Sequence, residues 1–262
     1  MRFIILGGGC YGTFYLRQLL RAQQAEALAV SEILVVDRNS VPRAARENDE
    51  HEIVRFVQSD WANFFDQHLN TLPSDTTDSF VPSPFNPHLG LGWLLRRVEH
   101  EYPALNLQLE PFSVLPDTPY REQREHGTMV ASHADWICPV HCIEPEICPH
   151  TRGPRFWDMD ETGRSLGDRL DSAGQPVASV HLFHCHHVSY GVGAYPAAEL
   201  LQARDDIFTA LHTGNHQRFL IGTISRCHGA FHLLAAERGM DTVSRHVSSS
   251  ESEPPMADDD QQ

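Results

Sequence analysis

The sequence predicts an α/β protein with a doubly wound parallel sheet, interrupted by an irregular segment rich in cysteine and proline. Three observations lead there. Strand-like and helix-like runs alternate over the first hundred residues and resume after residue 177. A glycine loop closes the first strand and opens the first helix. Between them, residues 111–176 show little periodicity. Strands alternating with helices imply a parallel sheet covered on both faces.

Taken in order, residues 2–6 form a short apolar run that ends in glycines. Phe14, Leu16, Leu19 and Leu20 then recur at helical spacing. Residues 32–36 read as a second strand closed by Asp37, residues 53–57 as a third, and 60–69 as a helix. Residues 80–81 make a weak fourth strand cut off by Pro82 and Pro84, and 91–99 a helix. After the irregular segment, 177–183 is a strand, 197–211 a helix, 218–223 a strand and 230–238 a final helix before Gly239. From Ser248 the chain is polar and acidic, too poor in apolar side chains to dock, and is expected to be disordered. This divides the chain into a dinucleotide-binding half (1–110), a Cys-rich metal-binding insertion (111–176), a continuation of the α/β domain (177–247) and an acidic tail (248–262).

Composition removes several chemistries. The 262 residues carry 20 basic and 35 acidic side chains, a net charge of −15, which argues against nucleic acid or an anionic membrane as partner. Every basic residue is arginine, so Schiff-base chemistry and a phosphate-loop lysine are excluded. No run reaches a membrane span, and the N-terminal apolar run is shorter than a secretory signal needs. The expected compartment is therefore the cytoplasm, where thiols stay reduced. The cysteines at 10, 138, 142, 148, 185 and 227 then read as metal ligands, reactive thiols or small buried residues rather than disulfides. The expected partner is a small-molecule substrate or ligand, with self-association left open.

Gly7-Gly8-Gly9-Cys10-Tyr11-Gly12 satisfies G-x-G-x-x-G between a strand and a helix. The first glycine permits the tight turn, the second admits a pyrophosphate to the backbone, and the third lets helix and strand pack closely. Asp37, at the end of the second strand, is placed to accept hydrogen bonds from a ribose diol and to disfavour a 2′-phosphate. Residues 1–60 thus resemble the dinucleotide-binding Rossmann domains, particularly those with a Gly-Gly-Gly-x-Tyr-Gly loop. The resemblance implies NAD, with NADP second, held by Gly7, Gly9, Gly12 and Asp37.

Cys138, Cys142 and Cys148 fall within eleven residues of proline-rich chain, and the first pair has the spacing of a structural zinc pair. Cys227, directly after a predicted strand, is the preferred fourth ligand, with Cys185 and Cys10 as alternatives. Zinc is preferred over an iron–sulfur cluster because the tight ferredoxin spacing is missing. His88, after the fourth strand, and His228, beside Cys227, are the candidates for proton transfer. A second glycine stretch, 190–196, reads as a strand-to-helix turn within reach of a phosphate. The expected function is an NAD(P)-dependent oxidoreductase with a cysteine-ligated metal centre. The alternative is a non-catalytic module that senses nicotinamide redox state and metal or thiol state.

Overall fold

The computed structural model describes residues 1–48, 51–84, 86, 88–139, 142–214 and 216–238. Strand β1 (Arg2–Leu6) buries Phe3 and Ile5 on one face and Ile4 and Leu6 on the other, the mark of a strand covered on both sides. It pairs in parallel with β2 (Glu32–Asp37) and β4 (Ser79–Val81), and β3 (Val54–Gln58) extends β2. Helix α1 (Cys10–Gln24), with the short α2 (Arg43–Asn48), joins β1 to β2 and β3. Helix α3 (Trp61–Leu69) starts at Asp60, whose side chain accepts the Asn63 N–H at 3.0 Å.

Helix α4 (Leu89–Glu101) leads out of this sheet, and β5 (Leu105–Glu110) enters a second one. β6 (Tyr120–Gln123), β7 (Thr128–Ser132), helix α5 (Met159–Ser172) and β8 (Ser179–His184) follow. The chain then returns to the first sheet as β9 (His186–Ser189) and β10 (Val192–Pro196), the latter antiparallel to β4. Helix α6 (Ala197–Thr213), β11 (His216–Ile224) and β12 (His228–Arg238) complete the second sheet. Its order is β6-β7-β12-β11-β8, with β5 also on β12, while the first sheet runs β3-β2-β1-β4-β10-β9.

The protein is therefore a mixed α/β protein with two mixed sheets and six α-helices among the described residues. α1 covers the outer face of the first sheet through Leu16, Leu19 and Leu20. Side chains of α3, α4 and α6 fill the space between the sheets, where Trp93, Leu94, Leu200 and Ile207 meet Phe80 and Phe219. α5 covers the outer face of the second sheet with Leu166 and Leu170 against Leu220 and Phe231. Burial of each such side chain contributes roughly 1.5–3 kcal/mol.

Four expectations need correction. The single parallel sheet is two sheets, and in the second only β8 and β11 are parallel neighbours. Residues 230–238, expected as a helix, belong to strand β12, because an apolar run buried on both faces carries no period that separates strand from helix. The 190–196 stretch turns at Gly191 and then runs as β10, so it leads into α6 as a strand and not as a bare turn. Residues 111–176 are no insertion, since they supply β6, β7 and α5 to the second sheet. Helix α5 was hidden by Gly163 and Gly167, which lower helix propensity but let the helix approach the sheet. A Cβ at Gly163 would lie 2.9 Å from Leu182, and one at Gly167 2.8 Å from Val180. Within 111–176 the stretch before β6 and the described residues between β7 and α5 are irregular, the latter apart from a bridge between Ile147 and Pro154. The acidic tail from Ser248 lies outside the described residues. No helix among the described residues is long and apolar enough to cross a membrane.

Candidate functional site

Two hollows open near the carboxyl ends of the strands. The smaller, about 490 Å³, is framed by the glycine loop. Gly7 turns at φ 104°, a conformation that favours glycine, and its N–H donates to Val36 O at 2.8 Å. A Cβ on Gly12 would stand 1.7 Å from Gly7 O, so the loop lies directly on the start of α1. At Gly9 nothing lies within 4 Å of the corresponding position, which leaves the backbone open to a ligand. Asp37 reaches back to the same loop: one carboxylate oxygen accepts the Gly8 N–H at 2.8 Å, the other Asn39 N at 2.8 Å and Nδ2 at 2.9 Å. The four residues expected to bind cofactor are thus brought together. Arg43 and Arg46 line the same hollow and were missed, because α2 has too few apolar residues to show a period.

The larger cavity, about 1050 Å³, lies past the ends of β4, β8 and β11. Its walls include His88, Cys138, Cys142, Cys185, Cys227 and His228, so both proton-transfer candidates and three of the four preferred ligands meet there. Cys148, 2% exposed, does not line it. Burial raises its thiol pKa, but the N–H groups of Thr151 and His150 and the charge of Arg155 outweigh that and lower it. Cys138 and Cys227 are pushed up, chiefly by burial. Cys185, driven up to about 12 by burial, is a neutral thiol. Cys10 is exposed at the glycine loop, where its sulfur accepts from Arg43 Nη1 at 3.2 Å.

Arg155, which sequence reasoning missed, is the centre of the thiol group. Its side chain is buried, and its charge interacts with Cys227, Cys148 and Cys142. Arg155 Nη2 lies 3.8 Å from Cys142 Sγ, and Trp157 Nε1 donates to Cys227 Sγ at 3.2 Å. Arg155 Nε and Nη1 and Arg226 Nε are buried without a hydrogen-bond partner. Buried donors are rarely left so in native proteins, and each marks a place for an acceptor.

Glu144 ties the cysteine segment to the loop after β11. It accepts from Ser225 Oγ at 2.7 Å, Arg226 N at 3.0 Å and Cys227 N at 3.3 Å. A lone glutamate among prolines carries no sequence signal for this role. Glu144→Ala is expected to cost about 2–3 kcal/mol, since it strips three donors of a charged acceptor. Urea unfolding measures it, and a loss below about 0.5 kcal/mol would mean the loop holds without Glu144.

Ser132 sets the tautomer of His228. Ser132 Oγ gives its one proton to Ala134 O at 2.7 Å, so it must accept from His228 Nδ1–H at 2.9 Å. Nε2 is left as a lone pair, and burial lowers the imidazole pKa, keeping the ring neutral. His88 is held at the start of α4 against His232, the rings T-shaped with centroids 4.5 Å apart. Burial, then Arg124, lowers its pKa too.

Fold and site together define a mixed α/β protein with a cavity lined by thiols and imidazoles at its strand ends. Residues 91–237 match the family AF_1314_C, described as an uncharacterized protein's C-terminal domain, and the chain belongs to that family. The match runs from within α4 to the end of β12 and takes in the cysteine segment, while the glycine loop precedes it. No curated protein and no solved structure matches the chain.

Proposed function

We propose that the protein is an NAD(P)-dependent oxidoreductase. In this reading β1–β4 act as a Rossmann-type, doubly wound half, and the larger cavity receives a small-molecule substrate beside a cysteine-ligated metal centre. The observation that carries it is the placement of two hollows near the carboxyl ends of neighbouring strands, one with a glycine loop and one with neutral histidines, the arrangement that serves ligands in open α/β sheets.

Gly7 and Gly12 hold the turn, and the open backbone at Gly9 with the N-terminal end of α1 suits a pyrophosphate. Asp37 spends part of its acceptor capacity on the loop and keeps the rest for a ribose hydroxyl. A bound nicotinamide supplies hydride exchange. His228, with Nε2 unprotonated, takes the proton that a substrate hydroxyl gives up, and His88 is the second neutral group in reach of the cavity. Cys138, Cys142, Cys148 and Cys227 hold the metal, a soft donor set that selects zinc or iron.

Calorimetric titration tests the cofactor. NAD(H) is expected to bind more tightly than NADP(H), because the Asp37 carboxylate repels a 2′-phosphate. Stronger NADP(H) binding would instead give Arg43 and Arg46 that phosphate, and binding of neither would overturn the reading. Gly9→Val should weaken dinucleotide binding at least about tenfold with an unchanged melting temperature, since its side chain enters open space on the ligand path. Binding without turnover of any alcohol or carbonyl substrate would turn the assignment towards a sensor.

A further inference from the structure

We infer that the centre framed by Cys138, Cys142, Cys148 and Cys227 is a polynuclear iron–sulfur cluster rather than a single zinc ion, with Arg155 as its charge partner. The inference rests on the metal-centre reading above and names the metal.

Sulfur spacing is the first argument. A tetrahedral zinc with Zn–S bonds of ~2.3 Å holds its thiolates roughly 3.8 Å from one another. Among the described residues, three ligand atoms mutually within 4.8 Å occur at Glu110, His216 and Glu237, not at the cysteines. That trio is already paired, His216 Nδ1 with Glu237 at 2.7 Å and Glu110 with Arg218 at 2.6 Å. Yet Cys138, Cys142 and Cys227 line one cavity, with Arg155 Nη2 3.8 Å from Cys142 Sγ and Trp157 Nε1 3.2 Å from Cys227 Sγ. Such a set surrounds an object larger than one ion. A sulfide-bridged cluster meets this condition, because its thiolates are spread over more than one iron.

Unpartnered donors are the second argument. Arg155 is 7% exposed, and its Nε and Nη1 lack acceptors, as does Arg226 Nε. A zinc ion adds no acceptor to the four thiolates. A cluster brings inorganic sulfides that accept N–H bonds, and its net negative charge balances a buried guanidinium that is otherwise costly. Trp157 already makes one such N–H···S bond to Cys227. The proline after Cys148 matches the residue that follows the last cysteine of the bacterial ferredoxin run.

The test is anaerobic purification of the full chain from iron-replete cells, with iron, zinc and acid-labile sulfide analysis and visible and Mössbauer spectra. A brown protein with at least two irons and matching sulfide per chain is expected, with more than a fivefold loss of both in Cys148→Ser. Arg155→Gln should shift the cluster's reduction potential to more negative values, because removing a neighbouring cation disfavours the added electron, and Arg155→Lys should restore most of it. Stoichiometric zinc without sulfide overturns this inference and leaves the metal-centre reading standing. A metal-free protein whose Cys138→Ser variant is equally stable overturns both. An unchanged potential in Arg155→Gln removes Arg155 from its role. Dinucleotide titration of the same preparations judges the cofactor reading separately.

Discussion

Gly12→Ala is expected to lose more than about 3 kcal/mol of stability, the upper end of what overpacking costs. The new methyl carbon would stand 1.7 Å from Gly7 O and 2.8 Å from Gly7 C, with Ile5 Cγ2 at 3.4 Å. Both nearest atoms are backbone, so no rotamer change relieves the clash, and the loop must part from the helix. Gly7 would then lose its bond to Val36, and Asp37 its bond to Gly8. Chemical denaturation measures the effect. A loss under about 1 kcal/mol would mean that the loop does not close on α1 as described. The contrast with Gly9→Val separates the two glycines: one is required by the fold, the other by the ligand.

The second large effect is acid sensitivity centred on His232. Its imidazole is 4% exposed, and burial, aided by His88, lowers its pKa from 6.5 to about 3. The groups that face it are the His88 ring and Thr128 Oγ1, the latter 2.9 Å from Nε2, while Arg124 acts on His88. The unfolded chain binds a proton near pH 6.5, and the folded chain resists it until about pH 3. Stability is therefore complete above pH 6.5 and falls as pH drops through that window, by roughly 2 kcal/mol at pH 5 and roughly 4 kcal/mol at pH 3. His88, His133, His181, His184 and His228 are shifted in the same direction, chiefly by burial, and steepen the decline. Urea unfolding at pH 7.5 and 5.0 should show wild type losing about 2 kcal/mol more than His232→Gln. Equal losses in the two proteins would show that His232 titrates normally.

Local chemistry alone determined much of the first sheet. β1 through α4, apart from α2, were legible because their apolar residues repeat at a strand or helix period, and because Gly7–Gly12, Asp37 and Asp60 act on chain neighbours or at turns whose geometry few residues accept. The cysteine trio was legible as a cluster because its members are close in sequence. Only the tertiary structure decided that 230–238 is a strand, since both of its faces are buried and its partners, β5, β7 and β11, come from distant parts of the chain. The same holds for α5, whose glycines make sense only against Leu182 and Val180. It holds most of all for the cavity: Arg155 among the thiols, Glu144 on the loop before Cys227, and Ser132 on His228 Nδ1 are matches between segments up to 96 residues apart. A charged or polar side chain in an irregular stretch carries no period, and its partner is set by how two sheets pack, which spacing along the chain does not encode.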